Sequence, residues 1–248
     1  MTGKPRARNR LLEALSDADY ALLADHLHHE EMAHGRVLYE AEDTVDTVWF
    51  PETGMASLMS PMRGGDMIET AIVGGEGAVG FIEACGSGVT FSRVVIQAPG
   101  RFWRIPASQY RDAYGRCENL RLLMHDHMEL MLAEARQVIA CRNLHTVDER
   151  LAWWLIESQD RLGSDTLPLT QEFLSVMLGV QRTTVTDHAA RLQDEGLIRY
   201  ARGVIRVLNR RGLEARACEC HATTMHFRRC IEEHEARRGL RRPPRAAA

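Results

Sequence analysis

TQEFLSVMLGVQRTTVTDHAARLQDEGLI, residues 170–198, reads as two short helices around a tight turn. Thr170 is a good N-cap, and Phe173, Leu174, Met177 and Leu178 recur at spacings that place one apolar stripe on the first helix. Gly179 supplies the sharp turn. The second helix opens at Gln181-Arg182-Thr183-Thr184; Val185, Ala189 and Leu192 can pack inward while Arg182, Thr183, Thr186, Asp187 and Arg191 face out. A short polar outer edge on the second helix is the pattern of a helix-turn-helix, in which that helix enters the DNA major groove and an Arg can hold a guanine edge with two hydrogen bonds. Two amphipathic helices around a glycine are also the shape of a plain packing unit, and the flanking sequence weighs against that alternative.

The next segment reads as a wing. Two β-prone runs, 196–200 and 204–208, surround Ala201-Arg202-Gly203, a hairpin signal with a basic tip. Residues 170–211 hold seven Arg against four acidic residues, whereas the whole chain has a net charge of −3. Because attraction to phosphate is screened within about 10 Å at 0.1 M salt, the local surplus matters more than the total. Arg182, Thr183 and Thr186 are the candidate base readers, and Thr170, Gln181, Arg191, Arg202 and Arg206 the candidate backbone contacts.

Working outward, 248 residues with 45% hydrophobic and 26% charged content suit one large or two medium domains. No apolar run approaches the roughly 18 residues of a membrane helix, and the first residues lack the apolar core of a secretory signal. The expected setting is the cytoplasm, with the six scattered cysteines reduced and no membrane partner. Residues 1–10 read as a basic disordered tail and Leu11 to His29 as helical around a Ser16 cap. From about Gly35 to Ile105, short β-prone runs (45–50, 55–59, 67–73, 91–97 and 102–105) broken by Gly and Pro predict a roll or barrel. Residues 118–144 contain no Pro or Gly and predict a helix nearly 40 Å long. Such a helix either pairs with a copy of itself or serves as an ordinary core helix; a reader of two half-sites favours the pair. A further helix over 147–161, with Trp153 and Trp154, forms the floor of the C-terminal domain.

Taken in this order, residues 11–215, and most specifically His145 to Leu208, resemble the cyclic AMP receptor and fumarate-nitrate regulator (Crp/Fnr) superfamily of bacterial transcription regulators. The resemblance implies an α+β fold: an N-terminal β-roll of the cyclic-nucleotide-binding type, a long dimerisation helix and a C-terminal winged helix-turn-helix. The expected domains are a tail (1–10), a sensor-like roll with flanking helices (11–116), a dimerisation helix (117–144), a DNA-binding domain (145–215) and an extension (216–248). Matched through Leu169-Thr170-Gln171-Glu172 and Gly179, the family's base-reading Arg falls on Arg182. Thr183 stands where many members carry Glu, and Asp187 where Arg is frequent, so the half-site should depart from the commonest one. The implied function is a sequence-specific regulator acting as a homodimer on double-stranded DNA; activation would also need a surface that touches RNA polymerase. The alternative is a ligand-sensing or protein-interaction module whose winged helix meets a protein.

Nucleotide-binding members carry a Gly-Glu pair, a short helix and, about ten residues on, an Arg followed by a small residue. The matching stretch is Gly80-Phe81-Ile82-Glu83 to Ser92-Arg93-Val94. With Gly80 in place, Phe81 replaces the Glu; shifting to Glu83 and Arg93 puts Ile82 and Val94 where small residues belong. Gly80, Glu83, Ser92 and Arg93 therefore read as a degenerate effector pocket, with no cofactor expected. Cys218-Glu219-Cys220-His221 offers metal-ligand types, but Cys-x-Cys is a poor zinc spacing and a bland C-terminal helix is the expectation. His26, His28 and His29 read as a surface helix end, and Arg237, Arg238, Arg241 and Arg242 before Pro243-Pro244 as a solvated tail. No nucleophile elbow, His-Glu-x-x-His or Walker loop is present, so catalysis is not expected.

Overall fold

The computed structural model describes residues 7–240. Two antiparallel sheets build the N-terminal half, in the orders β1-β7-β3 and β2-β6-β4-β5. Their strands are β1 (His28–Met32), β2 (Val37–Tyr39), β3 (Thr47–Pro51), β4 (Met55–Pro61), β5 (Met67–Val73), β6 (Arg93–Ala98) and β7 (Gly100–Pro106). Their inward faces, with Val48, Phe50, Ile96, Phe102 and Ile105 buried, enclose a core that also receives Leu120, Leu123 and Met124. Those three lie on α5 (Glu118–Leu144), the 27-residue helix expected over these positions. Helices α1 (Arg10–Ala14), α2 (Asp17–Ala24), α3 (Phe81–Cys85) and α4 (Ala107–Arg116) flank the roll.

The second core lies under the C-terminal helices. It joins Leu151, Trp154 and Leu155 of α6 (Val147–Leu162) to Leu174 and Met177 of α7 (Gln171–Leu178), and to Val185, Ala189 and Leu192 of α8 (Arg182–Asp194). A third sheet, β8 (Thr166–Leu167), β10 (Val204–Val207) and β9 (Ile198–Ala201), closes it from the wing side, with α9 (Arg210–Arg216) and α10 (Cys220–Arg237) completing the helices of the described residues. Met55, Ile72 and Ala98 of the roll belong to this second core. Arg142 donates to the carbonyls of Glu69 on β5 and Met177 on α7 at 2.6 and 2.8 Å, so the two halves are also clamped by backbone contacts. On β5, burial raises the Glu69 carboxyl to about 8 against the opposing hydrogen bond of Ser57.

Several expectations need correction. The helix expected from Leu11 to His29 is two helices and a strand, because Leu15 is extended (φ −67°, ψ 143°) and Ser16 starts a new helix by accepting from the Asp19 amide. His28 and His29 are on β1, where His29 meets the edge of Trp103; they end no helix. The described part of the tail is ordered: Asn9 is fully buried, caps α1 and donates to the carbonyls of Pro51 and Gly77. Phe91 is 74% exposed and outside β6. The extension is a packed helix as far as Arg237, with Arg238 facing Asp126 at 3.5 Å; Arg241 and Arg242 lie outside the described residues.

A buried ion network binds four elements. Arg161 on α6 contacts Glu157 of its own helix, Glu76 before α3 (3.0 Å) and Glu134 on α5 (3.1 Å). Arg228 on α10 contacts Glu134 at 2.7 Å and Glu157 at 2.6 Å. Burial pushes the Glu157 carboxyl up, yet Arg161 and Arg228 outweigh it and hold the group well below the usual carboxylate range.

Candidate nucleic-acid interface

The helix-turn-helix is built by three local devices. Thr170 Oγ1 accepts from the Phe173 amide and starts α7. Gly179, left-handed at φ 65°, ends it. Gln181, extended at φ −68° and ψ 152°, starts α8 with no side-chain cap bond. Val185, Ala189 and Leu192 are buried as expected, which turns Arg182, Thr183, Thr186, Asp187 and Arg191 outward; all five are exposed.

Arg182 stands at the leading end of α8 with its side chain 60% exposed, in an ion pair of 2.8 Å with the equally open Glu172. A pair this exposed contributes at most about 1 kcal/mol, so the guanidinium is free to exchange partners. Thr183 is exposed beside it, and Thr186 returns its hydroxyl to the Arg182 carbonyl at 2.9 Å, one turn back. Arg191 lies farther along the helix and is tied to Asp148 on α6 at 2.9 Å, where Asp148 also meets His188.

The wing is a two-residue hairpin. Ala201 pairs with Val204, and the connecting Arg202 and Gly203 both have positive φ, 50° and 76°. Two consecutive residues with positive φ make a turn whose twist matches the flanking strands. Arg202 thereby projects at the tip, beside a shallow cleft lined by Thr170, Gln171, Tyr200 and Gly203. One residue was missed by sequence reasoning: Arg199 pairs directly with Arg206, and both are exposed. Like charges opposite one another destabilise a hairpin unless something anionic neutralises them. Only the strand register, which the alternation of Ile198, Tyr200 and Ile205 hints at, reveals the juxtaposition.

The four residues of the degenerate pocket do not converge. Gly80 is left-handed at φ 79° and opens α3, with Phe81 buried directly behind it. The space beneath, lined by Gly80, Glu83, Tyr39 and Phe81 among others, is about 30 Å³. That is room for a water molecule. Tyr39 donates its hydroxyl to the Thr47 carbonyl, and burial pushes its pKa well above the usual phenol range. Arg93 turns away to Glu40 at 3.1 Å, and Ser92 offers its backbone to Thr90.

Of the three metal candidates, Cys218 and Cys220 lie together and His221 does not join them; it faces Glu157 at 3.7 Å. Their neighbours are Cys141 and His145 from the end of α5, more than seventy residues away in sequence.

Residues 149–216 match the family model of the Crp-like helix-turn-helix domain. A search among curated proteins found no match. Among solved structures, the chain is similar to a Eubacterium rectale protein assigned to the Crp/Fnr family of transcriptional regulators (TM-score 0.65, 20% identity, 83% of this chain and 96% of the other). It is also similar to FixK2 from Bradyrhizobium japonicum (TM-score 0.67, 16% identity, 77% and 98%). A third likeness is TTHA1359, a CRP/FNR-family regulator from Thermus thermophilus (TM-score 0.62, 22% identity, 77% and 98%).

Proposed function

For this chain, which has the Crp/Fnr fold and carries a Crp-like helix-turn-helix domain, we propose the role of a sequence-specific DNA-binding transcription regulator acting as a homodimer on a two-fold symmetric operator. The observation that carries it is the leading edge of α8: Arg182 and Thr183 exposed and unburdened by packing, with Thr186 one turn on. Arg182 reads a guanine; Thr183 and Thr186 contact neighbouring base edges. Gln181, Arg202 and Arg206 hold phosphates, and Arg199 joins them from the opposite strand of the wing. Thr170 contributes its end of α7, since its hydroxyl is already engaged as a cap. Arg191 reaches phosphate by releasing Asp148.

The dimer is supported by α5. Met128, Leu132 and Ile139 are 39%, 51% and 63% exposed and fall, with Ala135, within one narrow arc of the helix at spacings of three and four. A second copy supplies the same stripe about a two-fold axis, which places two α8 helices on one face of a duplex. No helix among the described residues is long and apolar enough to cross a membrane, in keeping with a regulator that meets DNA in the cytoplasm. The small space under Gly80 and the outward turn of Arg93 support a roll that does not respond to a cyclic nucleotide.

Selection of bound sites from random duplexes, and then titration of the selected site, tests the reading. Arg182→Ala should weaken the selected site by about 1–3 kcal/mol and leave random DNA nearly unaffected. Equal losses on both, or no salt dependence of binding, would overturn it.

A further inference from the structure

Four soft ligands meet where α5 ends. Cys141 is in its last turn, His145 is the residue that caps it, Cys218 lies in the link between α9 and α10, and Cys220 opens α10. Their donor atoms all lie within 4.8 Å of one another. Cys141 Sγ and Cys218 Sγ are 3.5 Å apart, as are Cys220 Sγ and His145 Nδ1. For bond lengths of about 2.3 Å to sulfur and about 2.0 Å to nitrogen, the edges of a tetrahedron come to roughly 3.5–3.8 Å. The three thiols are buried and the imidazole nearly so.

We propose that Cys141, His145, Cys218 and Cys220 bind one zinc ion in a closed Cys3His site. All four positions of the tetrahedron are filled from the chain, so the ion is structural and has no open place for substrate. The surrounding shell fits the same assignment. His145 Nε2 lies 3.1 Å from the Glu219 carboxylate, which fixes the ring proton on that nitrogen and leaves the Nδ1 lone pair directed at the cluster. Gln137 Nε2 donates to Cys220 Sγ at 3.0 Å, a bond that favours the thiolate. Binding exchanges the thiol protons for the metal; no electrons move.

Position gives the site its consequence. It joins the end of α5, the α5–α6 junction and the start of α10, and α6 is the floor beneath α8. Zinc there pins α10 to α5 and sets the direction in which the C-terminal domain leaves the long helix. That bearing on DNA affinity rests on the regulator reading, whereas metal content does not, so the two can fail separately.

The test uses the full chain, purified under reducing conditions from zinc-supplemented cells. Elemental analysis should find about one zinc per chain, lost in Cys218→Ser and Cys220→Ser. It should persist in Cys230→Ser, which removes the exposed Cys230–His226 pair on α10, the obvious adventitious binder. Cobalt exchanged into the wild-type chain should show tetrahedral d–d bands and thiolate charge transfer, a readout that does not depend on any variant folding. Glu219→Gln, a positioning change, should lower zinc affinity about 10–100-fold while keeping the stoichiometry. Sub-stoichiometric zinc, an octahedral cobalt spectrum, zinc lost with Cys230 instead of Cys218, or a Cys141–Cys218 disulfide in the reduced preparation would each overturn the proposal.

Discussion

A left-handed glycine precedes a short helix in both halves of the molecule: Gly80 before α3 and Gly179 before α8. Gly80 is itself the N-cap of α3, whereas Gly179 ends α7 and reaches α8 through Val180 and Gln181, and the outcomes at the two helix starts are opposite. Behind Gly80 stands Phe81, 4% exposed and packed against His127, so the first turn of α3 is plugged by a hydrocarbon. Behind Gly179 come Gln181, Arg182 and Thr183, all exposed, so the first turn of α8 is a polar edge. A helix start is a place where a polar ligand can be met only if the side chains of that turn leave it open and offer hydrogen bonds of their own. The difference between a filled roll and an open reader is therefore written in three or four side chains.

The comparison presumes that both regions sit on one framework, and the buried ion network is the strongest test of that. Arg161→Met leaves Glu76, Glu134 and Glu157 facing one another with Arg228 the one arginine of the network left to balance them. An uncompensated buried charge costs about 3–5 kcal/mol, expected as a loss in urea denaturation at neutral pH shared by roll and C-terminal domain. Glu157 is held down by these arginines, so in the wild type its contribution is present at neutral pH and lost as pH falls through its depressed value. The gap between variant and wild type should thus narrow in acid. A loss under about 1 kcal/mol, or one confined to a single half, breaks the comparison. Phe81→Ala should also cost about 3–5 kcal/mol through the cavity it leaves, with the ratio of operator to random-DNA affinity unchanged. Arg182→Ala should show the reverse signature, since an exposed ion pair carries little stability.

Much of this was legible because the signals are local. That residues 118–144 are helical follows from apolar residues on overlapping helical faces with no Gly or Pro among them, and the outward face of α8 from the spacing of Val185, Ala189 and Leu192. β1 was not legible: His28-His29-Glu30-Glu31-Met32 is a polar strand at the edge of its sheet, paired on one side only, with a single buried residue and no apolar alternation. The ion network and the cysteine cluster were hidden for another reason. Glu76, Glu134, Glu157 and Arg228, like Cys141 and Cys218, are brought together by packing of α10 on α5 and α6, and no spacing along the chain encodes a contact between distant helices. The Cys-x-Cys pair looked incomplete because its partners, Cys141 and His145, stand one helical turn apart in a different element.

The smallest expected effect bears on the two glycines themselves. A Cβ at Gly80 would sit 2.9 Å from the Thr47 carbonyl oxygen and 3.0 Å from Val45, whereas one at Gly179 would meet Ile68 Cδ1 at 3.1 Å. Both substitutions carry the left-handed strain of about 1–2 kcal/mol. At Gly80 the obstacle is backbone in a strand and cannot withdraw; at Gly179 it is the end of a flexible side chain. Gly179→Ala should therefore cost little beyond the strain, and Gly80→Ala distinctly more, by denaturation of each variant. Replacing Ile68 by Val removes the atom in the way, so Ile68→Val should be milder in the Gly179→Ala background than in the wild type, a coupling that a double-mutant cycle reads directly. Strict additivity would show that the turn before α8 does not lean on the roll through Ile68, and the contrast between the two helix starts would then be purely one of local side chains.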